Sequence, residues 1–176
     1  MLFSNAGTLT KWDASTSTIA SAAAGTAVNT GTIHVKEAGE LAFTNTLDTS
    51  AATSVLRFDI GAASAGRLTT GGDLVLGEGG ATLELVFTTA NLASSYDLLE
   101  FGSITGSFAA VTLSGSGLDG TLARDNGVWT GNINGYTFSF VENTGILSIT
   151  GAIPEPSTCI LLFGALAFLA AALRRR

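Results

Sequence analysis

The first 153 residues contain no proline, yet all but one of the chain's 22 glycines lie within them; the only two prolines are Pro154 and Pro156. Every backbone N–H in that stretch is therefore free to join a β ladder, and glycine supplies the tight bends between strands. Short runs with an apolar residue at every second position fill the intervals. Ile33 and Val35 are followed by Leu41 and Phe43, and Leu56, Phe58 and Ile60 alternate with Arg57 and Asp59. Leu74 and Leu76 come next, then Leu83, Leu85 and Phe87. Leu99 and Phe101, Val111 and Leu113, Tyr136, Phe138 and Phe140, and Ile146 and Ile149 complete the series. A period of two is the signature of a strand with one buried face. Helical periodicity is lacking before residue 153. Residues 14–24, rich in Ser, Thr and Ala, show no apolar stripe and read as strand and loop.

Recurrent short strands predict an all-β body, and the glycine placement selects the architecture. Gly7-Thr8-Leu9-Thr10, Gly31-Thr32-Ile33-His34-Val35, Gly39-Glu40-Leu41-Ala42-Phe43 and Gly72-Asp73-Leu74-Val75-Leu76 each open on glycine and run into an alternating strand. Stacked coils of a right-handed parallel β-helix, or β-solenoid, produce such a pattern, because each coil buries its apolar face only against its neighbours. The hairpin signals Asn126-Gly127 and Asn134-Gly135 occur only late in the body. They predict that the solenoid, residues 1–121, gives way to antiparallel capping strands over 122–152 that shield the last open edge.

Ile153-Pro154-Glu155-Pro156-Ser157 ends the β pattern. Thr158–Leu173 is then an uncharged, almost wholly apolar run of sixteen residues, and Arg174, Arg175 and Arg176 follow. As a helix this run covers about 24 Å, and Ser157 and the arginine stems extend it toward the ~30 Å of a bilayer core. An arginine flank of this kind marks a cytoplasmic end. Residues 153–176 therefore read as a single C-terminal transmembrane helix preceded by an extended proline motif.

Charge is sparse, at 12 % of residues. The tail holds Glu155 and three arginines, so the formal net charge of −6 divides into +2 for the tail and −8 for the body. An acidic body with five scattered basic residues offers no track for phosphates, which excludes nucleic acid as a partner. Cys159, the only cysteine, lies inside the apolar run; a disulfide within the body and a Cys-based metal site are both excluded. No cofactor is implied.

Residue patterns that could support catalysis are few. His34, the only histidine, reads as a surface residue on a strand, without a Gly-x-Ser-x-Gly elbow to serve. Gly77-Glu78-Gly79-Gly80 lacks the Lys-Ser/Thr of a phosphate loop and reads as a turn. Asp59, Asp73, Glu84, Asp97 and Glu100 are spaced for adjacent coils, as a glycosidase pair would need, but scattered solvent-facing acids are the simpler reading. Trp12, Trp129 and Tyr136 are candidates for sugar stacking or, more simply, for core filling and capping. A non-enzymatic body is expected.

The proline-bracketed acid, apolar helix and terminal arginine cluster over 153–176 together resemble the PEP-CTERM sorting signal of Gram-negative bacteria. The resemblance implies an exosortase, a membrane transpeptidase, as the partner acting near Pro154-Glu155-Pro156. It also implies passage through the inner membrane with the body in the periplasm, and final placement in the cell envelope or extracellular matrix, with exopolysaccharide as a further partner. The tail would then be an address that is removed, like a GPI signal. Tyr96 to Phe108 resembles a segment near the end of PEP-CTERM ectodomains. Val28-Asn29-Thr30-Gly31-Thr32-Ile33 and Glu40-Leu41-Ala42-Phe43-Thr44-Asn45 are loosely similar to the passenger β-helix repeats of autotransporters, without the membrane barrel that such proteins carry. Met1 to Thr8 lack the basic and apolar regions of a signal peptide. Because the tail calls for one, the natural start is expected upstream. Two rival readings stand beside this one: a polysaccharide-active β-helix fragment with its catalytic residues upstream, and an uncleaved tail-anchored protein.

Overall fold

The computed structural model describes residues 3–20 and 25–151. The proline motif, the apolar run and the arginine cluster lie outside the described residues. Within them the chain is all β. The first turn consists of β1 (Ser4–Asn5), β2 (Thr8–Lys11) and β3 (Thr16–Ile19). The second holds β4 (Ala27–Asn29), β5 (Thr32–Val35) and β6 (Glu40–Phe43), and the third β7 (Leu47–Asp48), β8 (Val55–Ile60) and β9 (Arg67–Thr70). In the fourth, β10 (Leu74–Glu78) and β11 (Thr82–Phe87) are followed by β12 (Ser95–Asp97), which turns aside, and by β13 (Leu99–Glu100), which returns to the stack. β14 (Ile104–Ser107) and β15 (Ala110–Ser114) begin a fifth turn. The remaining strands are β16 (Gly120–Thr121), β17 (Ala123–Asp125), β18 (Val128–Ile133), β19 (Tyr136–Val141) and β20 (Ile146–Gly151).

Three parallel sheets run along the stack, in the orders β1-β4-β7-β10-β14, β2-β5-β8-β11-β15 and β3-β6-β9-β13. The body is thus a β-solenoid of about four turns. Its spacing is irregular: Ser4 lies opposite Val28, Val28 opposite Asp48, Asp48 opposite Val75 and Val75 opposite Thr105. Insertions are absorbed in the corners, and apart from one bulge in β10 the strands keep their register. The alternating residues form continuous columns. Leu9, Ile33, Leu56, Leu83 and Val111 stack through the second sheet, and all but Leu9 are buried. Val35, Phe58, Leu85 and Leu113 form the adjacent column, at the head of which stands Lys11.

The antiparallel sheet has the order β12-β20-β19-β18-β17. Two of its three hairpins turn on Asn126-Gly127 and Asn134-Gly135, where all four residues have positive φ, 47° and 77° in the first and 51° and 83° in the second. Sheet and solenoid share one core. Phe138 packs against Phe87 with ring centroids 5.5 Å apart, and Phe140 against Phe108 at 6.0 Å. Ile146, the first apolar residue of β20, is instead 37 % exposed.

Gly77 and Gly106 show what glycine does in the stack. β10 bulges between Val75 and Gly77, so the motif Gly77-Glu78-Gly79-Gly80 is half strand and half turn. Gly106 lies over Gly77 in the next turn, with φ of 83° and 69° respectively. A Cβ on Gly106 would fall 2.0 Å from the Gly77 carbonyl oxygen. Gly106→Ala should therefore destabilise the protein by at least about 1–3 kcal/mol, through left-handed strain plus overlap. Equilibrium denaturation measures it; an unchanged midpoint would contradict the stacked bulge.

Candidate functional site

The outer faces of the solenoid carry ladders of paired charges. β5 and β8 place His34 beside Asp59, with Nε2 2.7 Å from Oδ1, and Lys36 Nζ lies 3.0 Å from Oδ2 of the same carboxylate. Lys36 also lies over the Trp12 ring at 5.3 Å, and Trp12 itself is 75 % exposed. Asp59 is buried. His34 is thus not a free surface residue, as its strand position predicts, but one arm of a covered cluster. One register step away, Arg57 Nε donates to Glu84 Oε2 at 2.6 Å. Asp73 accepts from the Ser103 hydroxyl at 2.7 Å.

Arg67, on β9, holds Asp97 at 3.0 Å and also pairs with Glu100. These three line a cleft of about 300 Å³ with Phe101, Asn143 and Ile146. The Arg67 Nε is buried without a hydrogen-bond partner among the described residues. The five carboxylates singled out from the sequence therefore lie in separate clusters, and only Asp97 and Glu100 meet. Each has a basic or hydroxyl partner. Among the described residues, no group of three or more His, Cys, Asp or Glu side chains is arranged to hold a metal ion.

Side chains also converge at the seam between solenoid and antiparallel sheet. Glu142, buried just past β19, accepts from the Trp129 indole N–H at 2.7 Å and the Phe108 backbone N–H at 3.1 Å. Its other oxygen accepts from Arg124, 3.0 Å from Nη2. One carboxylate thus ties β17, β18 and the loop before β15 together. Trp129 is buried in this arrangement and is not available as a sugar platform. A second clip is Tyr96, whose hydroxyl donates to the Gly61 carbonyl at 2.6 Å and accepts from the Ala93 N–H at 2.8 Å. Burial raises its pKa above 10.0; the Ala93 N–H pulls the other way, and the Glu37 carboxylate adds to the rise. Neither clip is visible in the sequence, because Glu142 and Tyr96 have the ordinary spacing of strand residues.

Glu142→Ala leaves the Trp129 and Phe108 donors buried and unpaired, an expected loss of about 2–4 kcal/mol. Trp129 fluorescence should shift to the red at lower denaturant than in the parent; Glu142→Gln, which keeps an acceptor, should fall between the two. Tyr96 favours the neutral phenol in the folded state, so its contribution is complete below pH ~10 and is lost as pH rises through the higher folded value. Stability measured in denaturant should fall more steeply above that pH in the parent than in Tyr96→Phe.

β20 is an interior strand, bonded to β12 on one side and β19 on the other, and it ends at Gly151, opposite Tyr136. Among the described residues no helix is long and apolar enough to cross a membrane. Pro154, Glu155, Pro156 and the three terminal arginines follow within the segment outside the described residues. No curated protein and no solved structure matches the chain. A protein-family model does: residues 152–176 match the PEP-CTERM protein-sorting motif, which begins at the residue after β20 ends, so that the chain carries this sorting motif joined directly to the last strand of its β body.

Proposed function

We propose that the chain is an exported, non-enzymatic surface protein, delivered to the cell envelope or extracellular matrix by an exosortase acting at Pro154-Glu155-Pro156. The observation that carries this reading is the sorting motif itself, which marks the chain for export through an exosortase-type system. The finer steps are part of the proposal. Thr158–Leu173 spans the inner membrane transiently as a helix, Arg174, Arg175 and Arg176 hold its end at the cytoplasmic headgroups, and the body stands in the periplasm. The solenoid winds right-handed, the sense that parallel crossovers adopt, and serves as a rigid spacer or contact surface. Exopolysaccharide is its proposed environment. In support of a structural role, Asp59, Glu84, Asp97 and Glu100 are each engaged by a basic partner.

The experiment is to express the body with an internal tag in a host with and without an exosortase. With the enzyme, the product should lose the mass of the tail and leave the membrane fraction; Pro154→Ala combined with Glu155→Ala should retain full length. Identical full-length, membrane-bound product in both hosts would sink the processing step.

A further inference from the structure

The first turn of the solenoid leaves three sheets open at once. β1, β2 and β3 are edge strands, one in each parallel sheet, with no strand beyond them among the described residues. The Phe3, Asn5, Gly7, Lys11, Ser15 and Ile19 carbonyls accept from the second turn. A strand in a parallel ladder bonds to one neighbour through every second residue, so Thr8, Thr10, Thr16 and Thr18 direct their backbone groups off the end of the stack. The apolar core reaches the same end, where Phe3, Leu9 and Ile19 pack against it but are only partly buried. An edge of this kind is a template for further pairing. Proline and bulges, two common defences, are absent from β1 to β3. Their one charge, on Lys11, bends back to Asp13 and Ser15 within its own turn.

Gly7 points to a backbone beyond this edge. Gly31 stacks on it, and a Cβ on Gly31 would fall 2.1 Å from the Gly7 carbonyl oxygen, so the first turn itself requires glycine at Gly31. Gly7 does not have a positive φ, and a Cβ built on it would meet nothing within 4 Å. No contact within the described residues calls for glycine at that corner; a chain packed against the edge would. Charge does not oppose such a contact. Lys11 and Asp13 are the only charged residues of the first turn and pair with each other, so the −8 of the body arises after it. Glu40, bonded to the Thr16 hydroxyl, and Lys36, over the Trp12 ring, approach from the second turn with opposite signs.

We propose that the protein forms a two-fold dimer through the first turns of two solenoids, with β2 antiparallel to β2 of a second copy. The occupant is set by topology, since it must offer strands to three sheets together. The antiparallel sheet covers the other end of the stack, so an open first turn can be extended only by another first turn. A two-fold axis through the middle of β2 reverses the strand order around the turn and brings β1 against β3 of the second copy. Facing residues must share one side of the sheet. The register that meets this condition with apolar against apolar sets Leu9 opposite its own copy. Trp12, 75 % exposed, then faces the small Ala6 of the second copy, and Gly7 faces the Lys11 stem. Both outer ends of the pair are covered, so the contact closes as a dimer and does not propagate into a fibre.

The test uses the full chain in a mild detergent. Sedimentation equilibrium should show a reversible monomer–dimer equilibrium, and the unfolding midpoint should rise with protein concentration. Gly7→Leu, whose added side chain meets nothing within one chain, should keep the circular dichroism of the parent and raise the dimer dissociation constant at least about tenfold. Cross-linking gives an independent reading in a Cys159→Ser background. A short bismaleimide should join copies of Thr8→Cys several-fold more than copies of Asn143→Cys, which lies at the covered end; both parent side chains are exposed. A monomer at every concentration, or a dimer that Gly7→Leu leaves unchanged, overturns the proposal. Equal cross-linking at the two positions assigns the association to the apolar tails sharing a micelle and overturns it too.

Discussion

Everything in this body depends on parallel coils stacking in register. A single turn such as β4 to β6 has three short strands and too few apolar residues to enclose a core. Its Ile33, Val35, Leu41 and Phe43 are removed from water only because the turns on either side place like residues above and below them. Backbone and side chains reinforce each other here, since one slip in register would turn every inward residue outward. Polar groups obey the same stacking. Asn29 is fully buried at a corner, where it accepts from the Asn5 amide at 2.7 Å and donates to the Gly31 carbonyl at 3.0 Å. Buried polar groups of this kind are tolerated because each finds partners within its own turn and in the adjoining one.

A stack has two ends, and the chain treats them differently. At the far end the antiparallel sheet covers the last turn with Phe138 and Phe140 and is locked down by Glu142. At the near end β1, β2 and β3 each stand last in their sheet among the described residues. There the column of Val35, Phe58, Leu85 and Leu113 is headed by Lys11, buried along its stem. Its ammonium bends away to the Asp13 carbonyl at 2.9 Å and the Ser15 hydroxyl at 3.0 Å, and it pairs with the Asp13 carboxylate.

The fold was legible where local pattern and global need coincide. Period two at Leu56, Phe58 and Ile60 specifies an inward face, and the Asn-Gly pairs specify hairpins because few other residues adopt positive φ readily. The sequence rules fail where burial comes from across the stack. Asp59 and His34 occupy outward positions by parity, yet the adjoining turns and Lys36 cover them, so a strand histidine that reads as exposed has become part of a closed ion-pair cluster. The path of β12 was equally hidden. Ser95 to Asp97 looks like one more solenoid strand, but it leaves the stack to pair with β20, a contact about fifty residues ahead. The sorting motif was readable in full, since proline, apolar length and terminal charge act through composition and order rather than through tertiary contact.

The detour of β12 gives the sorting motif its mechanical setting. With β12 absent, β20 would be an edge strand, and tension on the segment after Gly151 could strip it from β19. With β12 in place, β20 is held by two antiparallel ladders, and its inward residues Leu147 and Ile149 are buried in the core shared with the solenoid. Tension applied at Gly151 acts along the strand and must shear both ladders together, rather than open hydrogen bonds one at a time from a free edge. Resistance to such a load is governed by the unfolding barrier rather than by equilibrium stability. A sheet that traps its last strand on both sides is therefore suited to a body whose sorting motif lies in the residues immediately beyond it.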